Sequence, residues 1–159
     1  EDIILSNLTL EQNYQLIVVP RHPERFTKVD KLLNEYSLKM NKTYQKLSEQ
    51  NTLSCDIVLC DKMGELINLY AIADIVILGG SFIDGIGGHN PLEPAFFDTK
   101  IISGEFIFNQ KVLFEAVENI IVSNVEDLKN VFDRIETYPR SMITHRGDIK
   151  PLLEQILGK

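Results

Sequence analysis

Three short aliphatic runs, YQLIVVP (14–20), CDIVLCD (55–61) and IVILGG (75–80), alternate with stretches whose apolar residues recur every three or four positions. Runs of this length, rich in β-branched side chains and closed by Pro, Asp or Gly, read as buried strands. From Glu24 to Tyr36 the residues Phe26, Val29, Leu32, Leu33 and Tyr36 mark one helix face. The polar stretch 38–53 is read as a strand near 38–44 followed by a loop. Leu66, Leu69, Tyr70 and Ala73 give a helix from near Met63 to just before Asp74. Beyond the third run come a short helix beginning at 91–94, a strand at 100–103 and a helix over 110–118. The last of these carries Val112, Leu113, Ala116 and Val117 on one side. A short strand at 120–122, a helix over Val125–Ile135 and a helical tail MITHRGDIKPLLEQIL complete the pattern; Gly147 and Pro151 weaken or bend that tail. Alternating strand and helix predicts an α/β fold with a parallel, doubly wound sheet.

Ligands of such sheets gather beyond the carboxyl ends of the strands, so the loops after 15–19, 56–60 and 75–78 are the informative ones. Composition narrows what they bind. A formal net charge of −7 over 159 residues opposes a nucleic-acid partner but not a local basic pocket. Cys55 and Cys60 have no second pair and no nearby histidine at ligand spacing, so they read as reduced structural thiols of a cytosolic protein. No apolar run is long enough to cross a bilayer, and residues 1–14 do not read as a signal peptide. The chain opens on EDIIL without an initiator Met and is read as a piece of something longer.

In VVPRHPERF (18–26), Arg21 and His22 follow the first strand, and Pro23 can open the next helix. The planar guanidinium suits a phosphate, whereas either arginine alone, Arg21 or Arg25, also reads as a solvated surface charge. In DKMGELINLY (61–70), Gly64 lets a ligand approach the backbone, and Asp61 and Glu65 read as carboxylates at a helix start. In GGSFIDGIGGHNPLEPA (79–95), Gly79 and Gly80 end a strand without side chains. Asn90 can then cap a helix with Pro91 first and Glu93 third, in competition with a start at Glu93–Pro94. Glu93 is either part of that cap or an acceptor for ribose hydroxyls. His89 is a backbone-bonded loop histidine or a source of positive potential. The glycines form neither GxGxxG nor a phosphate loop, so these residues point to a nucleotide or phosphosugar pocket without naming a reaction.

Taken together, PRHPERF, MGELINLYAIADIVILGGS and GGHNPLEPA resemble the Kdo (3-deoxy-D-manno-oct-2-ulosonic acid) transferases of lipopolysaccharide biosynthesis, along essentially the whole chain. The resemblance implies the C-terminal half of a GT-B glycosyltransferase. It makes residues 1–159 a single Rossmann-like domain for a nucleotide-sugar donor. It implies inverting transfer of Kdo from CMP-Kdo to a lipid A precursor, with no metal and no cofactor. The family's N-terminal domain, with its membrane anchor, acceptor site and general-base glutamate, is expected to be missing. No catalytic residue is therefore expected here, and the isolated fragment is expected to be soluble and inactive. The parent enzyme would act at the cytoplasmic side of the bacterial inner membrane. By the same resemblance Pro20 and Arg21 form the first nucleotide contact, with Arg21 on the phosphate. Met63, Gly64 and Glu65 lie against the cytidine, and Asn90, Pro91, Leu92 and Glu93 lie at the phosphate and ribose. His22, Gly80, Ser81 and His89 are accessory contacts. The loop SFIDGIGGHN is slightly longer than the usual family form, and NKTYQKLSEQNTLS is atypical. Two other readings are a GT-B domain using a UDP-sugar and a non-catalytic α/β interaction domain.

Overall fold

The structure, a computed structural model, describes residues 1–8, 14–50 and 52–144. Along the chain they form α1 (Asp2–Asn7), β1 (Leu16–Val18), α2 (Phe26–Met40), β2 (Tyr44–Lys46), β3 (Ile57–Leu59), α3 (Leu66–Tyr70) and β4 (Ile75–Leu78). There follow α4 (Leu92–Phe96), β5 (Lys100–Ser103), α5 (Lys111–Glu115), β6 (Val117–Glu118), β7 (Ile121–Val122), α6 (Leu128–Asp133) and β8 (Met142–Ile143). The chain divides into two compact units, Glu1–Ile72 with Asn124–Ile135, and Ala73–Ser123 with the chain from Glu136 onward.

The first unit is built on a parallel sheet of order β1-β3-β2. Its central strand β3 is buried at every residue, which requires a layer on each face. Ile57 and Leu59 point one way, into a cluster with Leu5 of α1 and Val29 and Leu33 of α2. Val58 and then Cys60 point the other way, onto Leu47 and Leu69 of α3. Burying a side chain such as Leu33 contributes about 1.5–3 kcal/mol. This two-sided packing bears out the doubly wound parallel reading.

The expected strand at 38–44 is corrected. Helix α2 continues beyond Tyr36 to Met40 because Ser37 turns inward and donates its hydroxyl to the Asn34 carbonyl at 2.8 Å. Asn41 then ends the helix in the left-handed conformation, φ 52°. Strand β2 starts only at Tyr44, whose phenol donates to Asp30 of α2 at 2.7 Å. Burial, reinforced by Asp30, pushes that phenol well above its usual pKa. Asp56, just before β3, accepts from the Thr43 hydroxyl at 2.7 Å and the Thr43 N–H at 2.8 Å. These bonds hold its pKa below the ordinary carboxylate value, so its stabilising contribution is present at neutral pH and fades as pH falls through that lowered pKa.

The second unit carries a parallel sheet of order β4-β5-β7, with Leu78 opposite Ser103 and Ser103 opposite Val122. Ile101 and Ile102 of β5 are fully buried. The expected helix over 110–118 is cut short here. Helix α5 stops at Glu115, and Val117–Glu118 leaves it as β6, pairing antiparallel with β8. Val112 is 76% exposed, whereas Phe114 and Val117 are buried and Leu113 and Ala116 half-buried, so the buried side is rotated away from Val112 towards Phe114. The start of the expected tail helix, Met142–Ile143, is strand; the rest of that expectation lies outside the described residues.

Candidate functional site

In the first unit β1 and β3 are hydrogen-bonded parallel neighbours, Val18 opposite Leu59, so their two following loops leave the same end of the sheet. Pro20 is buried and ends the first strand, while Arg21 and His22 are exposed. Pro23 opens a short 3-10 turn, Pro23–Arg25, in which the Arg25 N–H is donated to the His22 carbonyl at 3.0 Å. The two arginines of this loop differ. Arg25 pairs with Glu1 at 2.5 Å, whereas Arg21 makes no hydrogen bond or ion pair among the described residues.

In the loop after β3, Met63 is 66% exposed and Gly64 has φ +86°, with open space where a side chain would stand. Glycine is required there by conformation rather than by crowding. Glu65 sits immediately before α3, and its carboxylate accepts from the Asn68 amide at 3.1 Å. Asp61 is not a helix-start residue; it accepts from the Ser48 N–H at 2.8 Å and the Ser48 hydroxyl at 2.5 Å, tying β2 to β3.

In the second unit β4 runs into a one-turn 3-10 segment, Gly79–Phe82, in which Gly80, Ser81 and Phe82 are buried. A Cβ on Gly80 would lie 3.2 Å from His89 Nε2 and 3.1 Å from Ile86, so the imidazole rests on bare backbone. Next, Asn90 Oδ1 accepts the Leu92 N–H at 2.9 Å and the Ala95 N–H reaches the Pro91 carbonyl at 3.1 Å. The helix opens at Leu92 with Pro91 as its N-cap, between the two starts legible in HNPLEP, and the Asn90 side chain satisfies its first N–H. The Glu93 carboxylate is held by the Asn90 side-chain amide at 3.0 Å instead of by a backbone N–H. Ser81 is fully buried, its hydroxyl donated to the Leu78 carbonyl at 2.5 Å and accepting the Gly104 N–H at 2.7 Å.

Sequence reasoning missed the segment that supports this loop. Gly104, Phe106 and Asn109 follow β5, and Asn109 donates to the Ile86 carbonyl at 3.2 Å. The available signal was Gly104 itself, a glycine at the end of an apolar run. Both cysteines are free, and burial raises the pKa of each thiol. Among the described residues no group of three or more His, Cys, Asp or Glu could hold a metal, and no helix is long and apolar enough to cross a membrane.

No family model matches the chain. A 3-deoxy-D-manno-octulosonic acid transferase of Haemophilus influenzae is 34% identical over 151 residues, covering 92% of this chain and 34% of the relative. A solved structure, the C-terminal CMP-Kdo binding domain of WaaA from Acinetobacter baumannii, superposes with a TM-score of 0.63 at 28% identity. That match covers 77% of this chain and 67% of the solved one. The chain belongs with the C-terminal domain of the Kdo transferases. Kdo transferase kinship extends to a probable mitochondrial 3-deoxy-D-manno-octulosonic acid transferase of Arabidopsis thaliana, 30% identical over 98% of this chain and 37% of the relative. A bifunctional glycosyltransferase/methyltransferase of Fusobacterium nucleatum is 38% identical over 89% of this chain and 22% of its own length. The chain thus spans between about a fifth and two fifths of the length of these curated relatives.

Proposed function

We propose that residues 1–159 form the donor-binding domain of a glycosyltransferase whose donor is CMP-Kdo. The observation that carries this reading is the likeness to a solved CMP-Kdo binding domain, at 28% identity and a TM-score of 0.63. The loops support it. Arg21 is an exposed guanidinium without a carboxylate partner among the described residues, in a chain of net charge −7, and it is assigned to the CMP phosphate with Pro20 shaping its turn. Met63, Gly64 and Glu65 are assigned to the cytidine, where the left-handed Gly64 leaves backbone open to a base edge. Asn90, Pro91, Leu92 and Glu93 are assigned to the ribose and phosphate, with His22, Gly80 and His89 as accessories. Ser81 contributes to the loop's shape, since its hydroxyl is engaged with backbone on both sides.

In this reading the domain stabilises the leaving group. Donors fixed around the CMP phosphate favour the charge that builds there as the glycosidic bond breaks, and preorganised electrostatics of this kind is usually a large catalytic term. The acceptor, a lipid A precursor, the general base and contact with the inner membrane are assigned to the part of the parent protein that these residues do not contain. In this reading these residues alone are expected to bind CMP weakly and to transfer nothing, because a donor without its acceptor and base lies open to water.

Calorimetric titration of this chain with CMP and with UDP tests the donor. CMP is expected to bind roughly tenfold or more tightly than UDP, a difference of about 1.4 kcal/mol. Preference for UDP would move the assignment to a UDP-sugar enzyme. No heat at millimolar CMP would favour an interaction domain.

A further inference from the structure

Glycine-rich loops are mobile unless something holds them, yet the loop between β4 and α4 is braced at both ends by one neighbouring segment. At its start the Gly104 N–H is donated to Ser81 Oγ at 2.7 Å, and the Phe106 N–H to the Ser81 carbonyl at 3.0 Å. The backbones meet so closely that a Cβ on Gly104 would stand 2.9 Å from the Phe82 Cα and overlap the Ser81 carbonyl oxygen. At its far end Gly87, φ +93°, lies beneath Asn109, with Phe108 at 2.9 Å from the place of a Cβ. Gly88 approaches the Ile107 Cα and the Phe106 carbonyl, each 3.4 Å from its own Cβ position. Asn109 closes the contact by donating to the Ile86 carbonyl at 3.2 Å.

We propose that Ser81, Gly104 and Asn109 are positioning residues: they clamp the glycine loop onto residues 104–109, and this clamp sets where His89, Asn90 and Glu93 stand for the donor. The inference deepens the donor-binding reading and rests on it. Ser81 is suited to the task because one hydroxyl serves two strand ends, donating to the Leu78 carbonyl at the end of β4 and accepting from Gly104 just after β5. Gly80, next in the chain, is the floor under His89, so a displaced turn moves the imidazole and then Asn90.

The test compares wild type with Ser81→Ala, Asn109→Ala and a core control, Ile121→Val, each folded well below its melting temperature. Two quantities are read: CMP affinity, and hydrogen exchange of the His89, Asn90 and Leu92 amides without ligand. Ser81→Ala and Asn109→Ala are expected to weaken CMP binding about tenfold and to speed exchange at those amides about fivefold. Ile121→Val is expected to lower the melting temperature with neither effect. Asn109 is exposed, so its variant stays informative if Ser81→Ala does not fold. Wild-type affinity together with wild-type exchange in both loop variants overturns the clamp. Accelerated exchange in the two loop variants, in a chain whose wild type binds no CMP, keeps the clamp and defeats the donor reading instead.

Discussion

Arg21→Ala is expected to lower the CMP affinity of this chain roughly 10- to 100-fold, the loss of a charge-assisted hydrogen bond worth about 1.5–3 kcal/mol. The melting temperature should stay where it was. Arg21 is exposed and makes no hydrogen bond or ion pair among the described residues, so truncation removes nothing that holds the first unit together. In the parent enzyme the same change is expected to depress turnover by about two orders of magnitude or more, because the phosphate charge it meets grows in the transition state. Arg21→Lys should recover only part of the affinity, since an ammonium keeps the charge but not the paired donors of the fork. Arg25 supplies the contrast within the same loop: its guanidinium is already paired with Glu1 at 2.5 Å, on the surface where such pairs contribute little. An Arg21→Ala protein that binds CMP like wild type would remove the phosphate assignment.

Gly104→Ala is expected to have the largest effect on stability, about 3 kcal/mol or more, which for a chain of this size is a fall in Tm of about 10 °C. The added carbon would meet backbone on every near side: the Ser81 carbonyl oxygen, its carbon at 2.6 Å and the Phe82 Cα at 2.9 Å. A flexible side chain could swing aside; a carbonyl in a buried 3-10 turn cannot. Gly64→Ala makes an instructive comparison. Its φ of +86° disfavours a side chain, but nothing lies within 4 Å, so the cost there is the conformational one alone, about 1 kcal/mol. Thermal melts of the two variants side by side separate crowding from conformation. Equal Tm losses would contradict the close approach of residues 81 and 104.

Strands β1, β3, β4 and β5 were legible because each is an apolar run with its own stop signal, and β5 falls at the expected residues, Lys100–Ser103. The parallel α/β class followed from their alternation with helices. What stayed hidden depends on partners distant in sequence. Helix α2 runs on to Met40 with Ser37 buried, and β2 begins where Tyr44 reaches back to Asp30; the local polar text looked equally suited to a strand. Strand β6 exists only because Val117 finds Ile143, so periodicity alone extended α5 through it. At the candidate site the bond from the Leu92 N–H to the Asn90 side chain was readable from HNPLEP, since side-chain chemistry suffices for a local hydrogen bond. The helix itself opens one residue later, after Pro91. For Ser81, an accessory contact by resemblance, the local sequence does not set where the hydroxyl points; the register that places Leu78 opposite Ser103 brings it to Gly104. Asp61 likewise has the local look of a helix-start carboxylate, and its partner Ser48 lies a whole loop away.

The central claim is that these loops hold the cytidylate part of a donor, and amide-resolved NMR of this chain during a CMP titration tests it most directly. The amides of Arg21, Gly64, Asn90, Leu92 and Glu93 are expected to shift together, along one saturation curve. Shifts confined to the opposite end of the first sheet, around Thr43 and Asp56, or no shifts at saturating CMP, would contradict the account.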